Sequence, residues 1–207
     1  MISTNDYNPE RHKFALARRH LQRPYPPIGS HCSIGPGVTI GAGTVIRNNV
    51  TITGNVTIGK GCLIHSGAVI GERGFSFGFD ENLTPEPIVH NGGVIIGNFV
   101  EIGTCCAVAG GTLKPTVLED YVKIDNITHI AHNSLIGEKT VICSRVVLCG
   151  GVTMGRSVWV SPGVSILNRV KLADRTLVGI GSNVLKDTEP GDIVAGNPAK
   201  VISKRSV

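Results

Sequence analysis

The chain is poor in aromatic side chains, with one Trp, three Tyr and five Phe in 207 residues, yet it holds 27 glycines. That balance suits a backbone that turns often around small residues, and it does not by itself imply disorder. No apolar run reaches the ~20 residues that a membrane-spanning helix needs. The first twenty residues include Asp6, Glu10, Arg11, Lys13, Arg18 and Arg19, so neither a signal peptide nor an anchor is expected. A CxxC pair is also missing, which argues against a zinc knuckle, and no metal is expected. The six cysteines read as reduced core residues, and the expected compartment is the cytoplasm. Two familiar rhythms are absent as well: the strict alternation of a half-buried strand and the 3.6-residue period of a helix.

A six-residue period takes their place. Aliphatic residues recur at Ile28, Ile34, Ile40, Ile46, Ile52, Ile58, Ile64 and Ile70, then at Ile96, Ile102 and Val108. After a second break they run from Leu118 through Ile124, Ile130, Ile136, Ile142 and Leu148 to Val184. Four places after each comes a small or β-branched residue, such as Val50, Val56, Cys62, Cys106, Val146 or Val152. A fixed short period of this kind predicts a parallel β-helix. Three hexads make one triangular coil, and stacked coils pair their backbones at ~4.8 Å. The first hexad position fills a narrow interior that a bulkier residue would overfill. The expected division is an N-terminal cap over 1–27, a β-helix over 28–188 with an inserted loop at 71–94, and a C-terminal tail over 189–207.

The formal net charge of +5 raises the question of nucleic acid, since Arg11, Lys13, Arg18, Arg19 and Arg23 cluster near the amino end. They fall in an expected short amphipathic helix, capped by Asn8, opened by Pro9, faced by Phe14, Ala17 and Leu21, and stopped by Pro24 and Pro26. Such a helix reads as a cap over the open end of a solenoid with its charges in solvent. No nucleic-acid partner and no membrane insertion are expected.

Two breaks interrupt the period. Residues 71–94 form a long excursion holding Phe75, Phe77 and Phe79, which asks for an apolar partner or a ligand to cover. The second break, Leu113 to Val117, adds four residues just before the most polar hexads, Ile124-Asp125-Asn126-Ile127-Thr128-His129 and Ile130-Ala131-His132-Asn133-Ser134-Leu135. His132 takes the third hexad position, which projects outward at a corner. The equivalent residues one coil on and one coil back are Gly150 and Gly110. An imidazole between two glycines has room beside it for an extended thioester arm. The same corner line continues to Asn168 and Lys186.

The stretches VIIGNFVEIG and KIDNITHIAHNSLIG, with the tail from Pro190 to Lys200, resemble the hexapeptide-repeat acyltransferases. They are similar to the lipid A N-acyltransferases that act on UDP-3-O-acyl-glucosamine and to the related UDP-N-acetylglucosamine O-acyltransferases; the tail resembles sugar-nucleotide N-acetyltransferases that use acetyl-CoA. The resemblance implies an all-β, left-handed parallel β-helix and a homotrimer with His132 in a cleft between subunits. It implies His132 as general base and the backbone N–H of Gly150 as the group facing the thioester carbonyl. Asn126 and His129 are candidates for binding the acceptor; Asn168, Gly179, Ile180 and Lys186, with Gly150, are candidates for holding the cofactor. Some relatives carry Asp where this chain has Asn133, which leaves Asp125 as a candidate for orienting His132.

The expected activity is transfer of an acetyl or other short acyl group from acetyl-CoA to the amine of a UDP- or dTDP-linked amino sugar, for surface polysaccharide synthesis. Before Ile28 there are 27 residues, fewer than the uridine-binding domain of the lipid A enzymes needs, and this turns the expectation away from a long acyl chain on acyl carrier protein. The alternatives are O-acetylation of a small hydroxyl compound, a lipid A type N-acyltransferase dependent on acyl carrier protein, a γ-type carbonic anhydrase using His65, His129 and His132, and a non-enzymatic scaffold.

Overall fold

The computed structural model describes residues 27–205. The helix expected around Asn8 to Leu21 lies outside the described residues. What is described is a three-sided parallel β-helix whose faces are sheets of eight, seven and nine strands, most of them two residues long. The sequence period sets the register directly: Ile34 pairs with Ile52, Ile52 with Ile70, His129 with Val147, and Leu148 with Ile166. The phase also survives both breaks, since Ile70 pairs with Val108 and Val108 with Ile130.

From Ile46 onward the first-position residues point inward. Ile46, Ile52, Ile64, Ile70, Ile102, Ile130, Ile142 and Leu148 are at most 1% exposed, and full burial of such a side chain contributes ~1.5–3 kcal/mol. The fifth position fills the corners, and at two of its polar residues the hydroxyl finds a carbonyl. Ser134 Oγ donates to Ala131 O at 2.8 Å, and Thr128 Oγ1 to Cys143 O at 3.1 Å. Burial pushes the Cys62 and Cys106 thiols above their ordinary range, so they remain protonated core groups. All six cysteines are free.

The fourth position turns each corner with a positive φ. Glycine serves at Gly37, Gly67 and Gly151, but Asn133 (φ 59°), Arg169 (φ 64°) and Ile127 (φ 57°) do so with a side chain. Asn tolerates this region because its short amide can bond locally; a β-branched Ile does not.

The excursion leaves the eight-stranded sheet at the extended strand Val69–Arg73. It then forms a separate hairpin in which Phe77–Phe79 pairs antiparallel with Pro85–Pro87. Asp80 closes the turn by accepting the N–H groups of Asn82 and Thr84 at 2.8 Å each. Of its aromatics, Phe75 (87% exposed) and Phe79 (68%) face solvent. At the carboxyl end, Asp192–Gly196 adds one more parallel rung against Leu177–Val178, and Ala199–Lys204 folds back antiparallel on it. Part of the segment expected as a tail is thus ordered sheet. Among the described residues no helix is long and apolar enough to cross a membrane.

Candidate active site

His132 stands at the corner that follows the strand His129–Ile130. Ile130 anchors the hexad in the core, Ala131 N–H donates to Leu148 O at 3.2 Å, and the left-handed turn at Asn133 throws the imidazole outward. The ring lies over Gly150: a β-carbon there would meet His132 Cε1 at 2.6 Å and Nε2 at 2.7 Å. Gly150 N–H makes no hydrogen bond within the described chain, whereas its neighbours Cys149 and Gly151 donate to Ile166 O and His132 O. An unengaged backbone donor therefore sits beside the imidazole.

The other side of the ring differs from expectation. Gly110 is one coil back as its register implies, but it packs against the backbone of Gly71 and pairs with Arg73. The space next to His132 is taken by the two ends of the excursion. A β-carbon on Gly74 would lie 2.8 Å from both Cβ and Cδ2 of His132, and the His90 ring stands 5.1 Å from the His132 ring in an edge-to-face arrangement. The side expected to be left open by Gly110 is therefore filled. His90 escaped the sequence reading because it lies where the six-residue period is suspended, so no phase assigns it a direction.

Asn133 holds the His132 ring. Thr112 N–H donates to Asn133 Oδ1 at 2.8 Å, which fixes the amide oxygen there and turns Nδ2 toward His132 Nδ1 at 3.2 Å. The amide nitrogen can only donate, so Nδ1 accepts and the resting ring carries its hydrogen on Nε2. Shifting that hydrogen to Nδ1 gives up one such bond, about 1 kcal/mol. Burial, and then the proximity of His90 and His129, hold the His132 pKa below the ordinary histidine value. The ring is accordingly neutral at neutral pH. Asp125 does not orient it; its carboxylate accepts Asn126 N–H at 2.7 Å and lines another cleft with His65, Glu101 and Lys123.

The remaining candidates divide. His129 is exposed on the outer face of the same strand, paired with Ala107 one coil back and Val147 one coil on. Asn126 lies at the opposite end of that strand, its Oδ1 receiving Thr104 N–H at 2.7 Å, a corner bond that repeats at Asn48, Asp120 and Asp174. Asn168 and Lys186 continue the Gly150 line, exposed, because Leu148 pairs with Ile166 and Ile166 with Val184. Gly179 does not offer a free amide: its N–H donates to Val194 O at 2.8 Å, and Gly181 N–H to Pro162 O at 3.0 Å. Ile180, 77% exposed, sits between them at a different corner from Lys186. His65 is bonded to Glu101 at 3.0 Å, also away from His132. Among the described residues no three potential metal ligands converge. Beside Asn133, the inserted Leu113, Lys114 and Pro115 line a cleft of about 560 Å³ with Val117 and Leu135.

Comparison with known proteins bears on the repeat and the fold. The family model of the bacterial transferase hexapeptide (six repeats) matches residues 37–72. The chain is 40% identical over 141 residues to a probable UDP-3-O-acylglucosamine N-acyltransferase 2, mitochondrial, of Arabidopsis thaliana, covering 67% of this chain and 45% of that protein. It is 38% identical to UDP-3-O-acylglucosamine N-acyltransferase 2 of Legionella pneumophila (strain Lens), covering 68% and 41%. The chain thus spans less than half the length of these relatives. Among solved structures, LpxA from Acinetobacter baumannii superposes with a TM-score of 0.78 at 29% identity, covering 86% of this chain and 67% of that one. The UDP-N-acetylglucosamine O-acyltransferase of Moraxella catarrhalis does so with 0.78 at 27%, again covering 86% and 67%. Repeat, fold and relatives together make this chain a left-handed β-helix of the hexapeptide-repeat acyltransferase family, related to the UDP-3-O-acylglucosamine N-acyltransferases.

Proposed function

We propose that the chain is an N-acyltransferase that moves an acyl group from a thioester to the amine of a nucleotide-linked amino sugar, with His132 as general base. The observation that carries this reading is the neutral imidazole of His132 lying over Gly150, whose N–H is unengaged. A thioester carbonyl laid against Gly150 receives that N–H as charge develops on its oxygen, a contribution on the order of 3 kcal/mol. With its hydrogen shifted from Nε2 to Nδ1, the imidazole takes at Nε2 the proton released by the attacking nitrogen. No cysteine nucleophile is needed, and the thiols of Cys62, Cys106 and Cys143 are held protonated by burial.

The relatives move the preferred acceptor and donor away from the acetyl-CoA expectation. Their names specify UDP-3-O-acylglucosamine, so the lipid A type of acceptor, a UDP-linked glucosamine bearing an acyl group, is the better supported one. The cleft formed by Leu113 to Pro115 beside Asn133 gives apolar ground next to the transfer corner, in keeping with an acyl chain longer than acetyl. The phosphopantetheine arm common to coenzyme A and acyl carrier protein would follow the line from Gly150 past Asn168 to Lys186. A homotrimer would close the exposed corner of His132 into a cleft.

A thioester-consumption assay tests the reading. Acyl-carrier-protein and coenzyme A thioesters of several chain lengths are offered with UDP-3-O-acylglucosamine or UDP-linked amino sugars, and His132→Ala is the control. Thiol release that needs both the amine and His132 is the expected result. Transfer to hydroxyl acceptors alone, or about one tightly bound zinc or iron per purified chain, would overturn it.

A further inference from the structure

We propose that Arg169 holds the diphosphate of the nucleotide-linked acceptor; the assignment deepens the N-acyl reading above and rests on it. Arg169 turns its corner at φ 64°, one coil on from Gly151. Its backbone is tied to the transfer corner, since Arg169 N–H donates to Gly150 O at 2.9 Å while Gly151 N–H donates to His132 O at 2.8 Å. Arg169 is thus built onto the same glycine whose own N–H is unengaged.

The side chain leans back toward that corner. A β-carbon on Gly151 would lie 3.5 Å from Arg169 Cγ, nearer than the 4.0 Å to its Cα. An arginine side chain outreaches the ~4.8 Å between coils. With no side chain at Gly151 in the way, the guanidinium has a path to the coil of Gly150.

Its charge is uncommitted. Arg156 is paired with Glu138 at 2.9 Å, and Arg73 lies over the Phe77 ring. The exposed guanidinium of Arg169 makes no hydrogen bond, ion pair or ring contact among the described residues. The carboxylate next along the corner, Asp187, accepts Lys171 N–H at 2.8 Å instead. A planar, permanently charged fork standing free beside a transfer corner fits a phosphate, which it can grip through two parallel hydrogen bonds.

Two phosphates come to this site, and bond lengths decide between them. In a nucleotide-linked glucosamine the amine stands on the ring carbon beside the one that bears the diphosphate. The nearer phosphorus is then roughly 5 Å from the attacking nitrogen, about one coil spacing. In the phosphopantetheine arm, thioester and phosphate are separated by a chain comparable to about four extended residues, roughly 14 Å or about three coils. With the thioester carbonyl at Gly150, the phosphate of the arm falls well past Arg169. The phosphate within its reach is the acceptor's, and gripping it sets the neighbouring amine against the carbonyl.

The test measures kcat, the KM of UDP-3-O-acylglucosamine and the KM of an acyl-carrier-protein thioester for the parent chain, Arg169→Gln and Arg169→Lys. The inhibition constant of UDP and thermal melting are recorded alongside. We expect Arg169→Gln to raise the acceptor KM and the UDP inhibition constant by ~10–10²-fold, with the thioester KM and the melting temperature unmoved. Arg169→Lys keeps the charge without the fork and should recover part of the loss. Acceptor and UDP constants that stay in place, or a rise shared with the thioester KM or moved to it, overturn the role of Arg169 alone. A parent inactive toward every amine acceptor overturns the N-acyl reading, and this assignment with it.

Discussion

The imidazole of His132 is seated over Gly150 so closely that a β-carbon on the glycine would meet Cε1 at 2.6 Å and Nε2 at 2.7 Å. The two residues belong to successive coils of one sheet, in which His129–Ile130 pairs with Val147–Leu148. The six-residue period thus places an imidazole and a backbone donor next to each other although they are far apart in the sequence.

Gly150→Ala should therefore displace the ring without unfolding the coil, because Gly150 has no positive φ to lose. A misplacement of ~1 Å can cost ~10²-fold in rate. The expected outcome is that order of loss in kcat with an unchanged melting temperature; full activity would mean that the ring does not work where it rests.

His132→Ala removes the proposed base itself. A loss of ~10²–10⁴-fold in kcat/KM is expected, again without an effect on melting, since the ring is only half-buried at a corner. A steady-state assay of thiol release reads it.

The pH profile carries a sign. Burial lowers the His132 pKa, and the neutral ring is the active form, so the acid limb of kcat/KM should fall below the ordinary histidine value of ~6.5. The same depression means that the folded chain binds this proton less well than the unfolded one. Its stabilising contribution is complete above the unfolded value of ~6.5 and is lost as the pH falls from there through the lower pKa of the folded chain. Asn133→Asp keeps an oxygen for Thr112 N–H while setting a carboxylate on Nδ1. It should raise the His132 pKa and move the acid limb upward; a limb that stays in place would show that residue 133 does not act on the ring.

Two substitutions distinguish core from corner. Ile142 is 0% exposed, so Ile142→Ala should cost ~2–5 kcal/mol in chemical denaturation. Ile127 is 64% exposed with φ 57°, a region that costs an L-residue ~1–2 kcal/mol. Ile127→Gly should then stabilise the chain by up to about 1 kcal/mol, after glycine's greater loss of chain entropy is set against the relief.

Much of this architecture was legible because the period is both a packing rule and a ruler. Ile130, Leu148 and Ile166 stand in one ladder, and that alone sends Gly150, Asn168 and Lys186 along one corner from His132. The bonding around those residues was not legible. Asn126 has its oxygen occupied by Thr104 N–H, and the Gly179 amide is occupied by Val194 O. Hydrogen bonds between coils depend on which carbonyl the next turn presents, and the phase does not encode that choice.

By itself the sequence determined the coil, its inward ladder and the outward position of His132, because each is a consequence of side-chain volume repeated every six residues in a narrow interior. Only the tertiary structure decided what meets His132 on its other face. The excursion over 71–94 has no period, and its path is set by where its hairpin closes and its ends return. Those ends bring Gly74 and His90 against the ring and fill the space that Gly110 was expected to leave open.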